Sequence, residues 1–210
     1  TKSIATQKQL VLPHGVIQKK FKQLVNSENQ TQKISVRKNV EFFLTGALEY
    51  IIVRLIDDSV ALMESSSQLK PHFIFEVLKP AQITSISDIK NFQENELYES
   101  LGSYTGHLEY MNEFLSTNKD YKDPTSWKTY IERIYKSKVN KKKTFSNQTK
   151  LLINHLVNML FERFVNQSRV NLKMNNVKTI DARNIEACIR GAFSPSFSDK
   201  VITYANQFRV

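Results

Sequence analysis

The chain has 210 residues and a formal net charge of +10, with 30 lysines and arginines against 20 acidic residues, so a polyanionic partner is the first to consider. Forty per cent of the residues are hydrophobic, which suffices for one or two small packed domains, and the five glycines and five prolines suit a helical protein. The single cysteine excludes an internal disulfide and a cysteine-based zinc site, and without a signal-peptide pattern or an apolar run of about 18 residues we expect a soluble intracellular protein.

Residues 1–11 are polar and form a predicted tail, which precedes a first unit over residues 12–80. Pro13 is placed to open an amphipathic helix that runs to about Val25 and carries several lysines. The stretch 35–65 lacks proline, and its apolar residues recur every three or four positions, which predicts a long, mostly buried helix. Pro71 then opens a shorter helix that ends at Pro80.

Residues 81–125 form an acidic connector with eight acidic residues and only three lysines, whereas both flanking segments are basic. The connector still carries isoleucine, leucine, methionine and phenylalanine at roughly helical spacing. This pattern predicts one or two short helices that pack on the core rather than a free linker.

The second unit covers residues 126–210 and repeats the design of the first. Trp127 opens a short amphipathic helix, and the proline-free stretch 146–174 predicts a long helix capped by Ser146. Asp181 is the expected N-cap of the next helix, which Pro195 ends, and a last amphipathic helix follows. Two units of this kind on one chain indicate an all-α protein built from an internal repeat.

The order short helix, loop, long helix, loop, short helix resembles the histone fold. The first unit is similar to core histone two-A in the segments LPHGVIQKKFKQL and VEFFLTGALEYIIVRLIDDSVAL, notably at Leu48, Glu49 and Tyr50. The second unit is similar to core histone two-B (H2B) in TYIERIYKSKV, LVNMLFERFVNQS and KTIDARNIEACIR. Two such units on one chain resemble the histone doublets of some giant DNA viruses, although those doublets tend to run in the opposite order.

The resemblance implies two histone folds paired head to tail as an intramolecular handshake heterodimer. This pairing would create two composite phosphate sites where the loops of the two halves meet. The first site joins Lys33, Arg37 and Lys38 to Lys178 and Thr179. The second site joins Lys141, Lys142, Lys143 and Thr144 to Gln68 and Lys70. The paired first helices would offer a third site with Lys19, Lys22, Lys128 and Arg133.

Two departures from the histone pattern bear on function. Histone two-A carries an acidic patch that docks chromatin proteins, and the resemblance leaves a remnant of it at Glu49 and Asp57, with Arg54 in place of a glutamate. Several arginines that the family inserts into the DNA groove are also replaced. We therefore expect weaker DNA wrapping than in cellular nucleosomes.

The chain lacks the sequence motifs of a phosphate-binding loop, a zinc protease helix and a hydrolase nucleophile, so we expect neither enzyme activity nor a cofactor or metal. The resemblance implies a structural protein of nucleosome-like particles, in the host nucleus, a viral factory or the virion. Its expected partners are double-stranded DNA and a histone three/histone four-like tetramer or doublet, with no membrane and no small-molecule substrate. One alternative is a fused histone-fold transcription factor with sequence preference. Another is a helical adaptor that binds acidic proteins.

Overall fold

In a computed structural model of the chain, described over residues 10–27, 33–63, 65–80, 95–121, 126–138 and 143–208, the regular structure is almost entirely helical. The first half contains α1 (His14–Val25), β1 (Ser35–Val36), α2 (Asn39–Ala61), β2 (Gln68–Leu69) and α3 (Pro71–Val77). The connector contains α4 (Glu96–Leu101), a 3-10 turn (Gly102–Tyr104) and α5 (Thr105–Thr117). The second half contains α6 (Lys128–Lys138), β3 (Thr144–Phe145), α7 (Asn147–Met174), β4 (Thr179–Ile180), α8 (Ala182–Ala192) and α9 (Pro195–Asn206).

The first long helix is shorter than its sequence pattern predicts. It begins at Asn39, because Ser35 and Val36 pair with the second half as a strand, and it ends at Ala61. A two-residue strand leaves no periodicity in a sequence, so its presence inside the predicted helix was not visible. Pro195 likewise differs from expectation, since it is the first residue of α9 and not merely the end of α8.

The two predicted N-caps are present. The Ser146 hydroxyl accepts a hydrogen bond from the Thr149 backbone N–H at 3.0 Å, in the first turn of α7. The Asp181 carboxylate accepts from the backbone N–H of Arg183 at 2.9 Å, and the Asn184 side chain accepts from the Asp181 N–H at 2.8 Å. This reciprocal pair is a capping box, which satisfies N–H groups that the helix itself leaves unbonded.

The two halves share one hydrophobic core. Helix α2 packs against α1, α3, α6, α8 and α9, and α7 packs against α1, α3, α5, α6 and α8. Phe43 and Ile51 of α2 and Leu160 and Phe164 of α7 belong to the same buried cluster, each at most 1% exposed. Burying a side chain of this size contributes about 1.5–3 kcal/mol, so the contacts between halves are a major part of the stability.

Two parallel strand pairs join the halves at opposite ends of the long helices. In the first pair, β1 lies beside β4, with Ser35 opposite Thr179. In the second pair, β2 lies beside β3, with Leu69 opposite Phe145. Each pair therefore joins a loop that precedes one long helix to a loop that follows the other.

The described part of the connector packs on the rest of the protein. Helix α4 is tied to α9, because Glu96 Oε1 accepts a hydrogen bond from Lys200 Nζ at 2.6 Å. The Asn95 side chain donates to the backbone carbonyls of Val77 and Lys79, which fixes α4 to the end of α3. Residues 81–94 and 122–125 of the predicted connector lie outside the described residues. None of the helices in the described ranges has the length and apolarity that a membrane span requires.

Candidate nucleic-acid interface

The β1–β4 pair brings the predicted first phosphate site together. Ser35 N–H donates to the Lys178 carbonyl and Arg37 N–H donates to the Ile180 carbonyl, each at 2.9 Å. These backbone bonds fix the two loops side by side, independently of the side chains. The exposed side chains at this end include Lys33, Arg37, Lys38 and Lys178, while Thr179 is half-buried.

A cavity of about 480 Å³ opens at this end, and both Lys22 and Lys33 line it. Asn26 holds the cavity wall, since its side chain donates to the Lys22 and Ile34 carbonyls and accepts from the Ile34 N–H at 2.8 Å. Lys22, which we predicted as part of the third site on the first helix, therefore lines the same cavity as Lys33 of the first site. Two ammonium groups around one cavity suit a phosphate group.

Two further cations flank this end, for which no DNA contact was predicted. Arg183 is exposed in the first turn of α8, and Lys173 is exposed in the last turn of α7. The nearby Asp181 lies 4.0 Å from Arg37 and offsets part of the positive charge. Both residues lie within five positions of Lys178 in the sequence, and this proximity was the signal that could have identified them.

The β2–β3 pair forms the second predicted site. Thr144 N–H donates to the Ser67 carbonyl at 2.8 Å, and Ser146 N–H donates to the Leu69 carbonyl at 3.1 Å. Lys70 and Thr144 are exposed here, whereas Lys143 and Gln68 are half-buried. Lys141 and Lys142, which belong to the same prediction, lie outside the described residues.

Two other lysines near this end share one acidic residue, which offsets one of their two positive charges. Glu132 lies 3.0 Å from both Lys136 and Lys150, and hydrogen bonds from these two lysines hold its carboxyl pKa below the usual range. The Thr144 hydroxyl contacts the Ser67 carbonyl at 3.4 Å, so its proton is directed toward the protein. Positive charge at this end is therefore sparser among the described residues than at the β1–β4 end.

The third predicted site involves α1 and the start of α6. Lys20 Nζ lies 5.8 Å from the Trp127 ring centroid, which places α1 beside the residue that precedes Lys128. The same ammonium and the Trp127 indole N–H both donate to the Asn158 side chain, so Lys20 serves packing between the halves. The side chains predicted to bind DNA here are Lys19 and Arg133, which are exposed, Lys128, which is half-buried, and Lys22.

Glu49, which the resemblance assigns to a remnant of the acidic patch, is buried. Its side chain is 3% exposed, and its Oε2 atom accepts hydrogen bonds from the backbone N–H groups of Val11 at 2.7 Å and Leu12 at 2.9 Å. Burial raises the pKa of this carboxyl, while the two hydrogen bonds oppose the shift. The Glu49 carboxylate is therefore hydrogen-bonded to the N-terminal segment of the same chain. Asp57, the other residue of that prediction, is half-buried.

The described residues contain no group of three or more histidine, cysteine, aspartate or glutamate side chains that could hold a metal ion. Cys188 is buried in α8, and burial raises the pKa of its thiol, which disfavours the reactive thiolate. The arrangement can instead present lysine and arginine side chains on a rigid helical frame. Such a surface binds phosphates by charge and hydrogen bonding.

Comparison with solved structures identifies the fold. The crystal structure of the histone from Methanopyrus kandleri matches with a TM-score of 0.53 and 13% sequence identity, and the match covers 90% of this chain and 99% of that chain. The chain is a histone-fold protein. It is also 32% identical over 73 residues to histone H2B of Trypanosoma cruzi, a match that covers 34% of this histone-fold protein and 64% of that histone. No family model matches the chain.

Proposed function

We propose that this histone-fold protein is a fused pair of histone folds that binds double-stranded DNA by its phosphates and packages it in nucleosome-like particles. The observation that carries the proposal is the pair of composite ends, where loops of both halves meet and expose cations. Lys33 and Lys178 come from different halves, yet the β1–β4 backbone bonds place them at one end. Two such ends on one rigid frame would give a duplex two separate points of contact.

The pairing of the halves is proposed to be a head-to-tail handshake of the two long helices. The crossed strand pairs, β1 with β4 and β2 with β3, support it because they join the halves at both ends. The shared core supports it because a single half would leave a large apolar surface uncovered. In this arrangement one chain acts as a preformed heterodimer.

DNA binding of this kind is proposed to be independent of base sequence. Lysine ammonium groups and backbone N–H groups contact phosphates and carry little base information. The net charge of +10 favours a polyanion, and neutralising Z phosphates gives a salt slope near −0.9Z for duplex DNA. The role proposed for these contacts is structural, since they hold the duplex by its backbone.

The further partners and the source are also part of the proposal. The two-A-like and two-B-like halves support pairing with a histone three/histone four-like tetramer or doublet, as part of a viral histone doublet associated with chromatin. The likeness to histone H2B of Trypanosoma cruzi supports a histone role for at least part of the chain. The buried Glu49 argues against docking of chromatin proteins through the acidic patch seen in histone two-A.

A salt-titrated affinity measurement on two duplexes of equal length and unrelated sequence tests the proposal. We expect matching dissociation constants and equal, steep salt slopes. Lys33→Gln should reduce the slope by about 0.9, because one phosphate contact is lost. Lys79→Gln is the matched control, since Lys79 is exposed, pairs with Glu76 at 2.6 Å and lies at the far end of α3.

The outcomes separate the candidate functions. A large difference in affinity between the two duplexes would favour a fused histone-fold transcription factor. Absence of binding to both duplexes would contradict a DNA function and would favour an adaptor whose basic surface binds acidic proteins.

A further inference from the structure

The connector helix α5 lies against the start of α7, next to the β2–β3 end. Gln148 Nε2 of α7 donates to the Asn112 backbone carbonyl at 3.0 Å and to its side-chain oxygen at 2.8 Å. Met111 and Leu115 of α5 pack in one hydrophobic cluster with Leu151 of α7. These polar and apolar contacts fix the C-terminal end of α5 beside the first turn of α7.

A cavity of about 400 Å³ lies between the end of α5 and the start of α7, and Lys119 lines it together with Ser116 and Asn147. Asn147 directly follows Ser146, whose backbone N–H is bonded to Leu69 in the β2–β3 pair. The Lys119 side chain is exposed. Lys119 therefore lies beside the first turn of α7, which directly follows the β2–β3 end, although it belongs to the connector.

The charges around this surface make Lys119 important to it. Lys136 and Lys150 lie close in sequence to the β2–β3 end and share the Glu132 carboxylate at 3.0 Å, which offsets one of their two charges. Lys70 and Lys119 are exposed as well. A second exposed ammonium at this end would raise the local positive potential where a phosphate approaches.

We propose that Lys119 contacts a phosphate of the duplex bound at the β2–β3 end, so that the acidic connector adds one cation to the DNA interface. This inference rests on the proposed DNA-binding function. Glu109 and Glu113 are exposed on the outer face of α5, and Asp120 is exposed next to Lys119. Repulsion from Glu109 and Glu113 keeps the phosphate backbone away from that face, whereas Asp120 offsets part of the positive potential at Lys119 itself.

The test is a fluorescence anisotropy titration of one labelled DNA duplex with the full chain over a range of salt concentrations. Lys119→Gln should reduce the slope of log affinity against log salt by about 0.9 and weaken binding roughly threefold to tenfold near 0.1 M salt, as expected for one lost phosphate contact. Lys119→Arg should keep the wild-type slope, because the charge is retained. Lys79→Gln removes the same charge elsewhere and should leave the slope unchanged.

The failure of this inference differs from failure of the proposed function. An unchanged slope for Lys119→Gln, alongside a reduced slope for Lys33→Gln, would overturn the connector contact and leave DNA binding intact. A wild-type chain without salt-dependent binding to the duplex would overturn both. Circular dichroism of each variant checks that its helices are retained, and Lys119→Arg provides a second, charge-preserving readout.

Discussion

The buried carboxylate of Glu49 shows how a single residue can organise distant parts of the chain. Glu49 lies on α2 and accepts hydrogen bonds from the backbone N–H groups of Val11 and Leu12. These two bonds hold the N-terminal segment across that helix. Tyr204 of α9 approaches its other oxygen at 3.5 Å, and burial together with the Glu49 charge raises the pKa of this tyrosine to about 12. An ionised Glu49 is thus stabilised by donors but loses the solvation that water provides.

A pH dependence of stability follows for Glu49. Because burial raises the pKa of this carboxyl in the folded protein, the folded state binds the proton more tightly than the unfolded chain. Stability from this group therefore increases as pH falls through the raised pKa toward the unfolded value. We expect the free energy of unfolding of the wild type, relative to Glu49→Gln, to rise as the pH falls through the raised pKa of Glu49 toward the ordinary carboxyl pKa.

Urea unfolding of both proteins at several pH values measures this difference. The comparison with Glu49→Gln isolates the effect from Asp58, because burial also raises the pKa of that carboxyl. A difference that stays constant with pH would contradict the prediction.

Individual roles of this kind were only partly predictable from the sequence. Ser146 and Asp181 were recognised as caps because an N-cap depends on residues within one turn. The role of Glu49 was not predictable, because its partners lie 37 and 38 positions away, which no local pattern reveals. The same holds for Lys22, because the hydrogen bond between Asn26 and Ile34 brings the described residues on both sides of it, Lys22 and Lys33, to one cavity.

At the scale of helices, α9 packs tightly across α2. A Cβ atom on Gly46 of α2 would lie 2.8 Å from Phe208 Cδ2 and 3.2 Å from Ala205 Cα. Phe208 is itself 4% exposed and therefore has little room to move. The missing side chain of Gly46 allows the two helices to approach, and this approach sets where the second half sits on the first.

Alanine in place of glycine is therefore expected to have opposite effects at two helical positions. Gly46→Ala gains helix propensity but overpacks the contact with α9, so we expect a net loss of about 1–2 kcal/mol. Gly191→Ala in α8 meets no atom within 4 Å, so we expect a gain of up to about 1 kcal/mol. Denaturant unfolding of both variants measures the signs, and equal effects would show that the crossing does not depend on Gly46.

The order and type of the predicted helices were visible in the sequence because apolar residues at three- and four-residue spacing mark buried helical faces. The strand pairs were not visible, since each strand contains two residues and is defined by hydrogen bonds to a distant loop. The packing of α4 on α9 was also hidden, because it depends on the pairing of Glu96 with Lys200, 104 positions apart.

On the scale of the whole molecule, polar contacts reinforce the core shared by the halves. Arg169 of α7 is 9% exposed and donates to the carbonyls of Leu24 and Val25 at the end of α1 and to the Ser27 hydroxyl. A cation at the C-terminal end of a helix interacts favourably with its dipole. Because this contact joins the first half to the second, the halves are bonded across their interface as well as packed.

These contacts predict that the halves remain associated after the chain is cut. A protease site inserted within residues 81–94 would divide the chain into two fragments. One fragment contains α1 to α3 and the other contains α4 to α9, and the cut removes no contact between described residues. We expect the two fragments to coelute in gel filtration at the size of the intact chain. Their unfolding midpoint should rise with protein concentration, because association becomes bimolecular, whereas the uncut chain should show no such dependence.

The same measurement distinguishes intramolecular pairing from pairing between copies. If each half pairs with a half of a second copy, the uncut chain itself should elute as a dimer with a concentration-dependent midpoint. Fragments that elute separately under native conditions would contradict the shared core. A monomeric uncut chain whose fragments coelute would show that the core and the two strand pairs suffice to hold the halves together. The connector would then not be needed for this association and could take part in DNA binding.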